Sequence, residues 1–229
     1  MSTVATSAKQ PTLINYPRQA KFGRVLPKSK IYEHSGVNTR LKDLFVEQVE
    51  QMVWQYKLAP ETINLSSKPG VPEIQIFRIA LKAAELSVDV LKCIDGAVQF
   101  PIIFELEYEN KIRVTAAHKR PSETDATKWV TSDYFSTAWM FADDERSDMP
   151  VVLDLGGLYE ALLQRLIPLA PRTHESVAAL VERMESVNAK QREIEKVRAK
   201  LAKEKQFNRK VEINATLRQL NIELEDLGH

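Results

Sequence analysis

The stretch IIFELEYENKIRVTA, residues 102–116, decides the fold class. Ile102, Phe104, Leu106 and Tyr108 alternate with Glu105 and Glu107, and Ile112, Val114 and Ala116 alternate with Arg113 and Thr115. A period of two sends successive side chains to opposite faces of a strand, and the polar pair Glu109-Asn110 supplies a tight turn, so the segment reads as an antiparallel hairpin. On its N-terminal side, IQIFRIAL (Ile74 to Leu81) is apolar on both faces apart from Gln75 and Arg78, as a central strand covered on two sides would be. Ser87 to Val98 reads as a helix ending near Gly96. Leu41, Leu44, Phe45, Val49, Met52, Val53 and Tyr56 recur at spacings of three and four, which predicts one amphipathic helix from Asn38 to Tyr56, closed off by Pro60. On the C-terminal side, a polar loop from Arg120 to Lys128 leads to a further strand over Trp129 to Trp139. The acidic stretch Phe141 to Pro150 reads as a surface loop, and Leu155, Leu158, Tyr159, Leu162, Leu163, Leu166 and Ile167 form a helical stripe stopped by Pro168 and Pro171.

The expected class is therefore α+β, a mainly antiparallel sheet packed with helices, over residues 22–170. It follows a flexible, Ser/Thr/Pro-rich lead-in at 1–21. From Glu175 to Leu227 there is neither proline nor glycine, and the composition favours a long C-terminal helical, coiled-coil-type segment over 174–227. Val177, Leu180, Met184, Val187, Ile194 and Leu201 follow one three-four alternation, and Ile213, Leu217, Leu220, Leu224 and Leu227 follow another in a new phase. That shift implies one helix with a stutter, or two helices folded back near Phe207 and Asn208. Either way the second seam must be buried, against a second copy of the chain or against the preceding helix.

In 229 residues, 44% hydrophobic and 28% charged, there is enough apolar material for a sizeable core. The net charge of +1 points to neither a nucleic acid nor a membrane, but its distribution is uneven. Residues 1–40 hold seven cations against the single anion Glu33, and a second basic block runs from Lys190 to Lys210. Lys21, Arg24, Lys28 and Lys30 on the N-terminal arm, with Lys203, Arg209 and Lys210 near the break in the coil, are the candidate phosphate-binding residues. Exposed faces of long helices are usually charged, so a solvated face accounts for the coil block more simply. The lone Cys93 sits in an apolar stretch as a small hydrophobe and excludes an intrachain disulfide, which favours a reducing compartment. No signal-like or membrane-spanning run appears, so no membrane partner is expected.

Seven glycines spell neither a phosphate loop nor a dinucleotide turn, and His34, His118, His174 and His229 are too scattered for a zinc site. No cofactor, metal or catalytic residue is expected. The enzymatic alternative is a metal-dependent nuclease subunit, for which Glu109-Asn110-Lys111 has the E-x-K spelling and Glu73, Asp89 and Asp95 are further carboxylates. Trp54, Trp129 and Trp139 have apolar neighbours and read as core packing rather than base-stacking platforms.

The strings FGRVLPKSKIYEH, WQYKLAPETINL with EIQIF, IIFELEY and EKQFNRKVEINATLRQL together resemble an uncharacterised bacterial family of unknown function. Its genes commonly lie beside helicase and DNA-methyltransferase genes in restriction-like, phage-defence loci. The resemblance spans about Phe22 to Leu227 and carries no catalytic signature. It implies a cytoplasmic accessory or adaptor subunit that holds a helicase or DNA-methyltransferase partner, with possible non-specific DNA contact and a possible homo-oligomer through the C-terminal helix. A self-associating structural protein with no nucleic-acid role is the remaining alternative.

Overall fold

The computed structural model describes residues 13–122, 124–125 and 128–228. Its elements are β1 (Ile14–Asn15), β2 (Lys21–Val25), α1 (Lys28–Ser35), α2 (Thr39–Gln48), β3 (Val49–Leu58) and α3 (Pro60–Ile63). Then come β4 (Ile74–Leu81), α4 (Val88–Ala97), β5 (Ile102–Tyr108), β6 (Lys111–Pro121), β7 (Trp129–Ser136), β8 (Met140–Phe141) and β9 (Ser147–Asp148). Three helices follow: α5 (Leu155–Gln164), α6 (Val177–Lys203) and α7 (Phe207–Gly228). The chain divides into two compact units, residues 1–166 and 167–229.

The first unit is built on a mixed sheet of order β2-β3-β4-β5-β6-β7, with β8 also on β6. Only β4 and β5 run parallel, joined by α4 as the crossover that parallel neighbours require; the other pairings are antiparallel. The hairpin forms in the expected register, with Tyr108 opposite Lys111 and positive φ at both Glu109 (45°) and Asn110 (59°), the backbone of a type I′ turn. Strand β4 lies inside the sheet, and Ile74, Ile76, Phe77 and Ile79 are all buried. One sheet face packs on α1, α2 and α4 through Phe45, Met52, Phe77, Ile79, Ile94 and Phe104. Each such side chain contributes about 1.5–3 kcal/mol relative to exposure.

The helix expected from Asn38 to Tyr56 stops at Gln48, and the chain passes directly into β3. Two lysines explain the break. Lys28 Nζ donates to the carbonyls of Phe45 (2.9 Å) and Val49 (2.6 Å), and Lys82 Nζ donates to that of Val46 (2.6 Å). Phe45 O also accepts from the Val49 N–H, Val46 lies in the last turn, where helix carbonyls lack intrahelical partners, and cations suit the negative end of the dipole. Strand β3 is rich in Val, Trp and Tyr, which a pleated surface favours. The lead-in expected over 1–21 also differs. Residues 1–12 lie outside the described residues, but Leu13, Ile14, Tyr16 and Ala20 are buried, β1 pairs with β9, and Lys21 opens β2. The strand expected to reach Trp139 ends at Ser136, and β6 runs on through Pro121 into the expected polar loop. The acidic stretch 141–150 is anchored as well as exposed. Arg146 Nη1 donates to Ile14 O (3.0 Å) and to the buried Glu105 (3.1 Å), which also accepts from Arg78 (3.0 Å).

Under α4 lies a buried polar network. Lys119 of β6 directs its ammonium at Asp95 O (2.5 Å), Asp95 Oδ1 (3.5 Å) and Val98 O, and Tyr134 Oη donates to Asp95 Oδ2. Three acceptors match the three donors of an ammonium. Burial pushes the Asp95 carboxyl up and the Lys119 ammonium down, so each depends on the other to remain charged. Tyr159 of α5 completes the set by accepting from Lys119 N (2.8 Å) and donating to Ala117 O (2.7 Å).

The second unit is a helical hairpin, with α6 and α7 joined by residues 204–206. Leu217 and Leu220 are buried with Ile194, flanked by Val197, Leu201 and Leu224. At its open end Arg183 is 6% exposed and uses its planar fork fully. Its Nε and Nη2 grip both oxygens of Glu175 (2.7 Å each), Nη2 also reaches Ala170 O (2.7 Å), and Nη1 reaches Leu227 O (2.8 Å). Arg172 adds a bond to Asp226 O (2.7 Å). Two guanidinium groups thus cap the last turn of α7 and tie it to the start of α6.

Hydrogen bonds from Arg183 and the Arg172 N–H hold the Glu175 carboxyl down at about 2. A depressed carboxyl stabilises the fold above its unfolded value near 4.3 and loses that contribution as pH falls through about 2. Glu175→Gln is expected to lower the melting temperature at pH 7, with the difference from the parent shrinking below about pH 4 and vanishing near pH 2. Circular dichroism melts across that range check it, and a pH-independent difference contradicts it. Lys119→Met, which strands the buried Asp95 and two carbonyls, is expected to cost about 3–5 kcal/mol in urea unfolding. A loss under about 1 kcal/mol would show that the network does not hold α4.

Candidate functional site

The arm cations do not act as one group. Lys28 is spent on the carbonyls of Phe45 and Val49, and burial together with the Lys82 charge lowers its ammonium. Lys30 is exposed and pairs with Glu33 at 2.8 Å. Lys21 and Arg24 lie on the sheet-edge strand β2, every residue of which is exposed, and Arg24 sits 4.8 Å over the Phe22 ring. A register shift between Lys21 and Arg24, with Gly23 at φ 65°, bends this edge, as natural edge strands do to discourage pairing with another chain.

The coil cations do converge. Lys203 ends α6, Arg209 and Lys210 open α7, and with Lys200 and Lys205 they surround the three-residue turn. All three predicted residues are exposed, and among the described residues none of them forms a salt bridge. Glu204 is the one anion between Lys200 and Lys210. Its carboxylate accepts from the N–H groups of Gln206 and Lys205 (2.8 Å each), which hold its pKa below the usual range with help from Arg209 and Lys210. Phe207 stands at the tip, 78% exposed. Of the second seam, Leu217 and Leu220 are buried and Ile213, Leu224 and Leu227 half-buried within the hairpin, so pairing two chains through those residues requires the hairpin to open.

The carboxylates of the nuclease alternative are dispersed. Glu109 is in the hairpin turn and Lys111 opens β6, Glu73 pairs with Lys57 (3.2 Å), Asp89 is in the first turn of α4, and Asp95 is buried with Lys119. Among the described residues no group of three or more His, Cys, Asp or Glu is placed to hold a metal ion. Nor, among them, is any helix long and apolar enough to cross a membrane. Cys93 is buried against Ser35 (3.1 Å).

Sequence reasoning missed a cleft of about 520 Å³ where α1 and the end of α4 meet the sheet. Its walls include Trp54, Phe77, Phe100, Leu26, Ile31 and Val98, with Gln75 among the lining side chains and Lys30 and His34 contributed by α1. Trp54 was expected to pack on the core, and it does so half-buried, its ring 4.2 Å from Phe22 and 6.1 Å from Phe77, with Nε1 donating to Tyr56 O at 3.1 Å. The signal for the cleft in the sequence was Gln75, which with Arg78 interrupts the apolar run of β4.

The described residues form a mixed-sheet α+β unit followed by a helical hairpin with a basic tip. The chain belongs to the family described as Domain of unknown function (DUF4391), whose model matches residues 14–224. No curated protein and no solved structure matches it.

Because Lys28 caps α2, Lys28→Ala is expected to lower stability by about 1–2 kcal/mol while leaving any nucleic-acid affinity within twofold of the parent. Denaturant unfolding beside a DNA titration separates the roles. Unchanged stability with weakened binding would return Lys28 to the binding surface.

Proposed function

We propose that this protein is a non-catalytic accessory or adaptor subunit of a bacterial nucleic-acid-processing, anti-phage system. In this reading the first unit engages the helicase or DNA-methyltransferase partner that the family resemblance implies, and the hairpin is a coiled-coil-type arm that meets DNA phosphates without regard to sequence. The supporting observation is the hairpin tip, where Lys203, Arg209 and Lys210 are exposed, clustered and free of salt bridges among the described residues. A solvated helix face typically intersperses acids with bases, as Lys190 does with Glu193 and Glu223. At the tip the compensating acid is largely absent. Unpaired ammonium and guanidinium groups release counterions on meeting a phosphate chain, and nothing there reads base edges.

Binding to duplex DNA is expected to weaken steeply with salt, with about 0.9 of log-log slope per phosphate contact. Lys203, Arg209 and Lys210 changed together to Ala should flatten the slope by about 2.7 if all three touch phosphates, and leave sequence preference unchanged. Titration of labelled duplex at several salt concentrations measures both. Absence of binding at low salt, or an unaltered slope in the triple variant, would assign the tip to docking on a protein partner.

A further inference from the structure

We propose that the cleft between α1, β3 and the end of α4 is a nucleotide-binding site, taking a base between its aromatic walls and a phosphate at its α1 rim. The inference does not rest on the hairpin, which belongs to the other unit.

Three observations carry it. The first is size and lining. At about 520 Å³ the cleft falls within the roughly 300–1,000 Å³ typical of small-ligand sites, and Trp54, Phe77 and Phe100 give it flat apolar walls. Trp54 is held rigidly, by Phe22 packed on it and by its Nε1 bond to Tyr56 O, so little rotamer freedom remains to be lost when a planar group stacks on it.

The second is an oriented acceptor. Gln75 is 3% exposed and lines the cleft. Its Nε2 donates to Glu73 Oε1 at 2.7 Å, and Glu73 is in turn held by Lys57 at 3.2 Å. An ionised carboxylate only accepts, so it fixes which end of the amide it faces, and Gln75 Oε1 is left with no protein partner among the described residues. This oxygen is reachable from solvent, so a ligand's donor can take the place of water on it and add orientation to stacking. Ring N–H and exocyclic amine groups of nucleobases are such donors, whereas an aliphatic ligand of the same size offers none.

The third is charge. Lys30 and His34 stand one turn apart on the same face of α1 and both line the cleft, so a base inside would have its phosphate beside them. Among the described residues the Lys30 side chain is engaged by Glu33 in an exposed pair, which is weak and yields readily to a dianion.

A free mononucleotide and a residue of a single strand present the same chemistry, and one experiment on the full chain distinguishes them. Fluorescence anisotropy compares a labelled twelve-residue oligodeoxyadenylate with an abasic oligonucleotide of equal length, while AMP is followed by quenching of tryptophan emission. The base-bearing strand is expected to bind about tenfold more tightly than the abasic one. That ratio should fall towards one in Gln75→Leu and Trp54→Leu, and Lys30→Ala with His34→Ala should weaken both strands equally. Tighter binding of the strand than of AMP assigns single-stranded nucleic acid; saturable quenching by AMP with no gain from the strand assigns a mononucleotide. Thermal melts verify that the variants fold, and the comparison on the parent protein depends on no variant. The base-to-abasic ratio should persist in the Lys203, Arg209 and Lys210 triple variant, which separates failure of the hairpin reading from failure of this one. Equal affinity for the base-bearing and abasic strands, with no response to AMP, overturns the proposal.

Discussion

The ammonium of Lys119 is the contact on which the first unit is organised. It lies almost wholly out of water, 2% exposed, and a charge there is tolerated only because Asp95 opposes it and two carbonyls at the end of α4 complete its donors. Those same bonds stop α4 and fix the direction in which residues 98–101 enter β5. The sheet's single parallel pairing depends on that turn, since a crossover helix must end where the next strand begins. Tyr134 and Tyr159 extend the network to β7 and α5, and burial beside Asp95 raises both phenols, keeping them neutral and able to donate. Val98 and Phe100, which wall the nucleotide cleft, are held in place by this arrangement.

A similar use of cations on carbonyls recurs through the molecule. Lys28 and Lys82 end α2, and Arg172 and Arg183 end α7. Helix termini leave carbonyls without partners, and a long basic side chain can reach them from a distant part of the chain. Lys28 reaches across 17 and 21 residues, and Arg183 across 44. A cation count along the sequence therefore overstates the charge available to a partner. What remains includes the hairpin tip, the exposed strand β2 and Lys30 of α1 at the cleft.

Arg183 with Glu175 plays for the second unit the part that Lys119 plays for the first. Its geometry is bidentate and close to dry, which makes an ion pair directional as well as attractive. The pair fixes where α7 ends relative to the start of α6, and Ile194, Leu217 and Leu220 then set how the two helices meet along their length. With its open end clamped in this way, the hairpin presents its opposite end, around residues 204–206, as the free one.

Period and turn chemistry by themselves determined the strand at 74–81, the 102–116 hairpin, the helices beginning at Val88 and Leu155, and the helical character of the C-terminal quarter. In each, local side-chain spacing and tertiary burial agree. The segment 38–56 is where they part. Leu41, Leu44 and Phe45 are on a helix, but Val49, Met52 and Val53 satisfy a three-four spacing only by coincidence, because the bulges in β3 break the alternation that would have revealed a strand. Whether the coil was one helix or two was likewise decided in three dimensions, by Arg183 and the seam it closes. The coil cations were legible as a cluster because they are neighbours in sequence. The cleft was not, since Trp54, Gln75 and Phe100 come from three separate stretches, and only the sheet's register and the capped end of α4 bring them together.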